Sequence, residues 1–475
     1  MTAPHLVIGV DLATASARAV AVELGSPATV IAHAKTELPA PRTVSPGRIE
    51  QDSEYGSATD RVLSQLSELL TPEQRKSVRA ISVTGTSGTA LALDAKGLPL
   101  GPALLYSDTR GQGLLAQVEA SEVGRRPTAT LGRLSWLAKH YSGALLATSA
   151  DAALAFLAGG PLGMSDTSHW VKAGISLEDA SWPTRSLENL GIDQSLVPSL
   201  SRPGVPAGAL DQTKAKRWGF PTDVALVLGM TDGCTSQIAT GAVLLGDSVG
   251  VLGTTFVLKA VSATSVDIPS MGVYSHEGPD GAFWPGGASN TGAGAMPQEF
   301  SRLNPSELEE WGTVAVAHGP ASHVRYGLPG RGERFPFVSC DVESFATGQP
   351  NNSTDLYRSF LEGVAFAERY GREILGRAGV VLGRHVVSGG ASKSPSWTRI
   401  RATVLGQSIV RASFGDSAIG AAFLAGFPLQ TRAWSEYLAD LVPPPDVVDP
   451  LEEEIFALEQ RYQEFLQELD SRGLK

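Results

Sequence analysis

The sequence has few cysteines, no long apolar runs and no clustered positive charge. Its 475 residues include only two cysteines, Cys234 and Cys340, which lie in different halves without the spacing of metal ligands. A disulfide framework and a zinc cluster are therefore excluded, and the composition fits a reducing compartment. The N-terminus lacks the features of a signal peptide, and no apolar run approaches the length that crosses a membrane. These absences predict a cytoplasmic protein with no membrane partner.

Positive charge is scarce as well: 38 Lys and Arg residues stand against 49 Asp and Glu residues, which gives a net charge of −11. Nucleic-acid binding needs clustered Lys and Arg to neutralise phosphates, so no nucleic-acid partner is expected. The chain is rich in glycine, with 52 residues, and 42% of its residues are hydrophobic. Length and composition together predict an α/β enzyme with two or three domains and many tight loops.

Two predicted strands near the middle of the chain end in polar turns. Val224–Leu228 is a short apolar run that is followed by Gly229 and then by Asp232. Ser248–Leu252 is a second run, and it leads into Gly253-Thr254-Thr255. An acid at a strand end can take a proton from a hydroxyl, and a glycine turn with hydroxyls can bind a phosphate. Taken alone, the two turns are better explained by a capping Asp and an ordinary glycine turn.

A predicted hairpin at the start of the chain has a turn of similar chemistry. The turn carries an acid, two hydroxyls and a basic residue, namely Asp11, Thr14, Ser16 and Arg18. These groups can hold phosphate oxygens and a hydrated Mg²⁺, although Asp, Thr and Ser also favour turns for local reasons. The strand–turn–strand pattern recurs at residues 248–261. This repeat predicts two related domains, residues 1–243 and 244–475.

Three further segments carry candidate binding residues. The strand Val78–Thr84 leads into a small hydroxylated loop that contains Ser87, Gly88 and Thr89. Asp108 and Arg110 lie two apart on an extended segment, where they can bind sugar hydroxyls or form an ion pair with each other. Gly389, Gly390, Ala391 and Lys393 follow a predicted strand, where glycines allow either a ligand or a packed helix to approach closely. A charged amphipathic helix is predicted at residues 452–469, at the periphery.

In this order the motifs resemble those of the FGGY family of carbohydrate kinases. The resemblance spans residues 5–426 and includes two phosphate motifs, a sugar segment, a catalytic segment and an adenosine motif. The matching segments are Asp11–Thr14 with Ser16 and Arg18, Ser107–Arg110, Gly229–Asp232, Gly253–Thr255 and Ser388–Ser392. Five short matches in the family's order carry the resemblance together.

The resemblance implies an α/β fold with two ribonuclease-H-like domains of the actin, Hsp70 and sugar-kinase superfamily around a central cleft. It also implies ATP and Mg²⁺ as cofactors, with Asp232 as the general base and Asp11 positioning Mg²⁺ through water. The implied ATP-binding residues are Asp11, Thr14, Ser16, Arg18, Gly253, Thr254, Thr255, Gly389, Gly390, Ala391 and Lys393. The implied sugar-binding residues are Ser87, Gly88, Thr89, Asp108, Arg110 and Asp232.

Three departures from the family pattern bear on function. Ala13 replaces the usual glycine of the first phosphate motif, and Tyr106 replaces the usual tryptophan of the sugar segment. Thr86–Thr89 stands where xylulokinases carry a Met-His pair, and this favours D-ribulose over D-xylulose. The predicted partners are ATP and a ketopentose, with the chain a monomer or homodimer. Another polyol, such as glycerol or a hexulose, and a catalytically weak sugar or nucleotide sensor are the alternatives.

Overall fold

The structure is a computed structural model that describes residues 5–115 and 129–475. The chain divides into two compact units, and the first contains Met1–Ala239, His276–Gly281 and Asp416–Pro443. The second contains Thr240–Ser275, Ala282–Gly415 and Pro444–Lys475. We call them unit 1 and unit 2. The boundary predicted from the sequence, between residues 243 and 244, divides the chain into an N-terminal and a C-terminal domain and stays a prediction.

The secondary structure alternates strands and helices in both units. The strands are β1 (Leu6–Leu12), β2 (Ser16–Glu23), β3 (Thr29–Glu37), β4 (Arg42–Ser45), β5 (Arg48–Gln51), β6 (Val78–Gly85), β7 (Leu91–Leu93), β8 (Ala103–Leu104), β9 (Leu145–Ala147), β10 (Met164–Asp166), β11 (Ser199–Ser201), β12 (Pro206–Ala209), β13 (Ala225–Val227), β14 (Ser248–Leu252), β15 (Phe256–Ala260), β16 (Tyr274–Glu277), β17 (Phe283–Ala288), β18 (Arg325–Tyr326), β19 (Phe345–Ala346), β20 (His385–Ser388), β21 (Ile409–Arg411) and β22 (Asp446–Val448).

The α-helices are α1 (Tyr55–Leu69), α2 (Pro72–Lys76), α3 (Gln112–Leu115), α4 (Ala129–His140), α5 (Ser149–Ala158), α6 (Thr167–Trp170), α7 (Thr184–Asn189), α8 (Gln212–Trp218), α9 (Asp232–Thr240), α10 (Pro305–His318), α11 (Ser353–Arg377), α12 (Pro395–Leu405), α13 (Ser417–Gly426), α14 (Trp434–Leu441) and α15 (Glu452–Ser471). Among the described helices, none combines the length and the apolar character that a membrane span requires.

Unit 1 is built on a six-stranded sheet in the order β12-β13-β6-β1-β2-β3. β1 pairs antiparallel with β2 and parallel with β6, and β6 pairs parallel with β13. The C-terminal ends of β1, β6 and β13 therefore lie at one edge of the sheet, where open α/β sheets bind their ligands. The register places Asp11 between Arg18 on β2 and Thr84 on β6.

The core of unit 1 is packed closely enough to require glycine in its first strand. All seven residues of β1 are buried, as expected for a strand covered on both faces. A Cβ atom on Gly9 would lie 1.8 Å from the carbonyl oxygen of Ala418. Only glycine therefore lets the backbone of α13 pack against this strand. On another helix, α1, Val62 and Leu66 lie at helical spacing and are fully buried.

Unit 2 contains a seven-stranded sheet in the order β16-β17-β15-β14-β20-β21-β22. Here β14 pairs antiparallel with β15 and parallel with β20, which in turn pairs parallel with β21. This is the sequence of strand directions that unit 1 shows around β1, so each unit has the ribonuclease-H-like arrangement. The predicted repeat of the strand–turn–strand pattern corresponds to β1–β2 and β14–β15.

The C-terminal helix α15 corrects one sequence-based expectation, because it is part of the core of unit 2. Its Leu458, Tyr462, Phe465 and Leu469 are buried, and they belong to the same apolar cluster as the residues of α11. Its Glu454 also forms a buried ion pair with Arg358 of α11. The abundant charges of α15 obscured this apolar stripe, which repeats at helical spacing.

Candidate active site

The edge of the unit 1 sheet carries a buried acid held by an arginine. Arg18 Nε donates to Asp11 Oδ2 at 3.1 Å, and Arg18 Nη1 donates to Asp416 Oδ2 at 2.7 Å. Arg18 Nη2 also donates to the Ser417 hydroxyl at 3.1 Å. Asp416 in turn caps α13, since its Oδ1 accepts the backbone N–H of Ala418 at 2.8 Å. One guanidinium therefore ties the end of β1 to the start of α13.

The second carboxylate oxygen of Asp11 is available for a cation. Within the described part of the chain, Asp11 Oδ1 is buried and has no hydrogen-bond partner. Burial raises the pKa of Asp11 to about 6, against the lowering effect of Arg18, and the Asp232 carboxylate raises it further. A buried acceptor atom of this kind fits Mg²⁺, which keeps several waters and often uses only one or two protein carboxylates. No group of three or more potential metal ligands occurs among the described residues.

Asp232 follows β13 and is the first residue of α9, where it is half-buried. Its Oδ1 accepts the backbone N–H of Gly233 at 2.7 Å, and the N-terminus of a helix favours the ionised carboxylate. The preceding segment is fixed to β6, because Thr84 Oγ1 donates to the Met230 carbonyl at 2.6 Å. Asp232 acts on the pKa values of both Asp11 and Arg18, so these three charges form one electrostatic site within unit 1.

In the hydroxylated loop after β6, some of the hydroxyl groups hydrogen-bond to each other. Thr86 Oγ1 and Thr89 Oγ1 lie 2.9 Å apart, whereas the buried Ser87 Oγ has no hydrogen-bond partner in the described chain. Gly88 has φ +84°, a conformation that favours glycine. Arg133 lies beside Gly88 and donates to the backbone carbonyl of Asp108 at 2.8 Å. Burial lowers the pKa of Arg133 to about 10, although the Asp108 carboxylate acts to raise it. The Ser87 hydroxyl thus has no hydrogen-bond partner among the described residues, and its role in sugar binding stays a prediction.

Asp108 and Arg110 form the ion pair that was one of the two predicted alternatives. Arg110 Nε donates to Asp108 Oδ1 at 3.0 Å, and Arg110 Nη2 lies 3.0 Å from Glu50 Oε1. Asp108 Oδ2 accepts the backbone N–H of Ile49 at 2.7 Å, and the guanidinium lies 4.5 Å from the ring centroid of Trp136. These contacts occupy both side chains, and a direct role in sugar binding stays a prediction.

The first phosphate turn of unit 1 accepts alanine without backbone strain. Ala13 closes the turn by donating its N–H to the carbonyl of Ser16 at 3.0 Å. Of the residues that the structure describes, only Ala180 combines a side chain with a positive φ. Ala13 thus has a conformation that alanine adopts readily, so its replacement of glycine leaves the turn intact. The carbonyl of Thr14 accepts Gln51 Nε2 at 2.6 Å.

The Gly253–Thr255 turn of unit 2 is supported by a second glycine-containing segment. Gly253 N–H donates to the Thr255 carbonyl at 3.1 Å, and the carbonyls of Gly253 and Thr254 accept the N–H groups of Ala293 and Gly294, each at 2.9 Å. A Cβ atom on Gly253 would meet only the Thr255 oxygen, at 4.0 Å. The protein itself therefore does not require glycine there, which leaves a close approach by a phosphate as a physical reason for it.

The two glycines after β20 have different structural requirements. Gly389 has φ +90°, and a Cβ atom there would lie 2.4 Å from the Leu252 carbonyl oxygen, so tight packing explains it. Gly390 is exposed, and a Cβ atom there would meet nothing within 4 Å. Ala391 and Lys393 lie in the 3-10 turn that follows, half-buried and exposed respectively. Packing therefore explains Gly389 but not Gly390, and contact of these residues with adenosine stays a prediction.

Sequence reasoning missed the supporting residues that are distant along the chain. Asp416, whose carboxylate binds Arg18, lies 398 residues from it and is seen only once α13 has packed on β1. Gly294 supports the turn at Thr254 and stands in a small-residue segment without a motif of its own. The Asp-x-x-His pattern of Asp166 and His169 was visible, but nothing in the sequence placed it near Asp232.

Comparison with known proteins identifies the family of this chain. The profile of the FGGY family of carbohydrate kinases, N-terminal domain, matches residues 6–153, and the profile of its C-terminal domain matches residues 248–429. The xylulose kinase of Escherichia coli (strain K12) is 26% identical over 455 residues, which cover 88% of this chain and 89% of that protein.

Solved structures show the same fold. A Brucella ovis protein named a xyloylose kinase has a TM-score of 0.87 at 22% identity and covers 99% of both chains. A gluconate kinase from Lactobacillus acidophilus has a TM-score of 0.85 at 18% identity and covers 99% of this chain and 98% of that one. At such identities the structures report on the fold alone. The two family profiles together account for most of the chain, and the protein belongs to the FGGY family of carbohydrate kinases as an ATP-dependent sugar kinase.

Proposed function

We propose that the protein transfers the γ-phosphoryl group of ATP to a primary hydroxyl of a ketopentose, with D-xylulose as the first candidate and D-ribulose as the second. The observation that carries the proposal is the pair of electrostatically coupled carboxylates, Asp11 and Asp232, at the C-terminal edge of the unit 1 sheet. A carboxylate at a helix N-terminus can accept a proton, while a second acid with one unpartnered oxygen can receive a cation.

In this proposal Asp232 takes the proton of the attacking hydroxyl. The hydroxyl oxygen bonds to the γ-phosphorus, the bond from that phosphorus to the β–γ bridging oxygen breaks, and ADP leaves with the electron pair. Ser87 Oγ, which is buried and has no partner among the described residues, would hydrogen-bond another hydroxyl of the sugar. Phosphoryl transfer of this kind depends mostly on positioning and on charge neutralisation, which is why few side chains need to react.

The proposed cofactor residues fall in both units. The N–H groups and hydroxyls of Gly253–Thr255 and of the turn at Thr14 and Ser16 would bind phosphates, and Gly390 with Ala391 would contact adenosine. Asp11, through its unpartnered Oδ1, would hold Mg²⁺, which when bound neutralises negative charge on the phosphates. Arg18, fixed by Asp416, would keep the Asp11 carboxylate in a single orientation.

The identity of the sugar rests on the relatives and is a change from the sequence-based preference. The Thr86–Thr89 loop, which lacks a Met-His pair, favoured D-ribulose. The curated relatives, among them that of Escherichia coli, are named xylulose kinases, and this supports D-xylulose instead. The retained carboxylates and the family match speak against the alternative of a catalytically weak sensor.

A coupled assay of ADP release over a panel of sugars tests the proposal. The panel contains D-xylulose, D-ribulose, glycerol, D-fructose and gluconate, each at several concentrations with saturating ATP. We expect the highest kcat/KM with D-xylulose and a lower but measurable value with D-ribulose. A preference for glycerol or gluconate would contradict the ketopentose proposal, and no release with any sugar would favour the sensor.

Replacing Asp232 tests the role of the general base. Asp232→Asn should lower kcat by about 10²- to 10⁴-fold, the usual contribution of a general base, while ATP binding measured by calorimetry stays close to that of the parent protein. The matched control is Asp223→Asn, an exposed acid in the loop before β13. A near-normal kcat for Asp232→Asn would show that the base lies elsewhere.

A further inference from the structure

A histidine whose backbone and ring are both held by one carboxylate lies next to a residue that contacts the segment before Asp232. Asp166 caps the short helix α6, since its Oδ1 accepts the backbone N–H of His169 at 2.8 Å. The other oxygen, Oδ2, lies 2.6 Å from His169 Nδ1, so one carboxylate fixes both the backbone and the ring of the same residue. The His169 side chain is completely buried, and its Nε2 has no hydrogen-bond partner in the described part of the chain.

The neighbouring residue ties this histidine to the catalytic segment. Ser168 Oγ accepts the backbone N–H of Thr231 at 3.2 Å and lies 3.0 Å from Nδ1 of His276. Ser168 Oγ also lies 3.4 Å from Thr231 Oγ1, and Thr231 directly precedes Asp232, so hydrogen bonds between Ser168 and Thr231 join α6 to the segment of the proposed base within unit 1. A movement of α6 would therefore be transmitted to the start of α9.

The charges around His169 are mostly carboxylates. Burial alone would lower the pKa of His169, but the Asp166 carboxylate, with smaller contributions from Asp151 on α5 and from Asp232, leaves it raised above its ordinary value. Asp151 is itself buried and accepts the Ser165 hydroxyl at 2.6 Å, and His276 faces the same helix through Ser168. These carboxylates therefore favour the protonated, charged form of the His169 ring.

Electrostatic coupling between two sites is reciprocal. Because the Asp232 carboxylate favours the charged form of His169, a charged His169 equally favours the carboxylate form of Asp232. This inference rests on the proposed function, in which Asp232 is the base. The coupling would give the buried Asp166–His169 ion pair a role in catalysis, although the pair lies outside the proposed cofactor motifs.

We propose that the Asp166–His169 pair is a positioning element for Asp232, in which the buried imidazolium keeps the base ionised and α6 fixes the backbone before it. The charges of Asp166 and His169 cancel overall, so the ionisation of Asp232 should respond to the loss of one charge without the other. Removing either partner alone should therefore affect the base differently from removing both.

Three variants test the charge balance through the acidic limb of the pH profile of kcat/KM. His169→Asn leaves the Asp166 carboxylate uncompensated beside Asp232, and the limb should move to higher pH by about half a unit to one unit, the scale of a modest charge interaction. Asp166→Asn removes the carboxylate that keeps His169 charged, so the pair stays neutral and the limb should move less or in the opposite direction. The double variant is again neutral, and its limb should return toward that of the parent protein.

A purely structural role predicts a different pattern. In that case each variant would lower the thermal midpoint, the double variant would be the worst, and the limb would stay in place. Equal limbs in all four proteins would overturn the proposal.

A measurement without catalysis separates this proposal from the function of Asp232. Histidine-labelled protein is titrated by NMR in metal-free buffer, and the His169 signal is assigned by its loss in His169→Asn. The pKa of His169 should fall by about half a unit or more in Asp232→Asn and should not change in Asp223→Asn. An unchanged pKa in Asp232→Asn would refute the coupling even if Asp232 is the base, whereas a shifted pKa with full activity would refute only the base.

Discussion

Each unit contains a buried carboxylate, and the two differ in how many of their oxygens have partners. In unit 1, Asp11 has one oxygen bound by Arg18 and the other without a partner in the described chain, and burial raises its pKa to about 6. In unit 2, both oxygens of Glu368 are bound, by Arg401 at 2.6 and 2.7 Å and by His385 at 2.8 Å. Burial alone would raise the pKa of Glu368, but these partners hold it well below its usual value.

The difference shows that burial does not by itself identify a functional acid. Asp11 lies on β1 and Glu368 lies on α11, and both are almost inaccessible to solvent. What differs is the number of partners, because a satisfied acid is a structural element while an acid with a free oxygen can bind or exchange something. The two strand–turn–strand segments also differ at one position. Asp11 lies two residues before Ala13 in unit 1, and the apolar Val251 lies two residues before Gly253 in unit 2.

The largest expected effect is on the stability of unit 2. Glu368→Gln should lower the free energy of unfolding by about 3–5 kcal/mol, since it leaves the buried Arg401 without its counter-charge. Thermal unfolding followed by circular dichroism measures the change. Glu373→Gln is the control, because it removes a partly exposed pair with Arg369 from the same helix. A loss no larger than that of the control would mean that the Glu368 cluster is not structural.

Asp11→Asn should show the opposite pattern, with activity lost and stability gained. The folded-state pKa of Asp11 is about 6 against an ordinary value of 3.8, so the folded protein binds the proton more tightly than the unfolded chain. The free energy of unfolding therefore falls as the pH rises from about 4 to 6, by up to about 3 kcal/mol for this shift.

The asparagine cannot ionise, so in metal-free buffer the thermal midpoint of Asp11→Asn relative to the parent protein should improve between pH 4 and pH 7. Melting curves at both values measure this, and Asp223→Asn controls for general charge effects. A relative midpoint that does not depend on pH would show that Asp11 titrates normally.

The smallest expected effect is at the unit 2 turn. Gly253→Ala should raise the KM for ATP about 10-fold, equivalent to about 1.4 kcal/mol, with little change in thermal stability. The added Cβ meets only one oxygen at 4.0 Å in the protein but would occupy the space proposed for a phosphate. Gly389→Ala is the contrasting control, which should destabilise the fold because of its positive φ and its close neighbour. An unchanged KM for Gly253→Ala would place the phosphates elsewhere.

Sequence reasoning reached the fold because the local signals agreed with it. The buried strand before Asp11, the repeated strand–turn–strand pattern and the apolar spacing of α1 each depend on neighbours within a few residues. The proposed site residues Asp11, Arg18 and Asp232 were likewise named from short motifs, and the structure brings these three together electrostatically.

Contacts that depend on distant segments could not be read in this way. The ion pair of Asp108 and Arg110 was one of two open possibilities, and Glu50 and Trp136, which decide it, lie elsewhere in the sequence. The predicted peripheral position of α15 was wrong because the charged residues on its exposed face obscured the apolar residues on its buried face. Asp416 and His169 matter only through packing, which no local pattern records.

The return of Asp416–Pro443 to unit 1 has a consequence for biosynthesis. The face of β1 at Gly9 is covered by α13, which the ribosome makes roughly 400 residues later. At about 5–20 residues per second, the opening strands wait on the order of 20–80 s before their covering helix exists. During that interval this apolar face is uncovered, and unit 1 can complete its fold only after most of unit 2 has been translated.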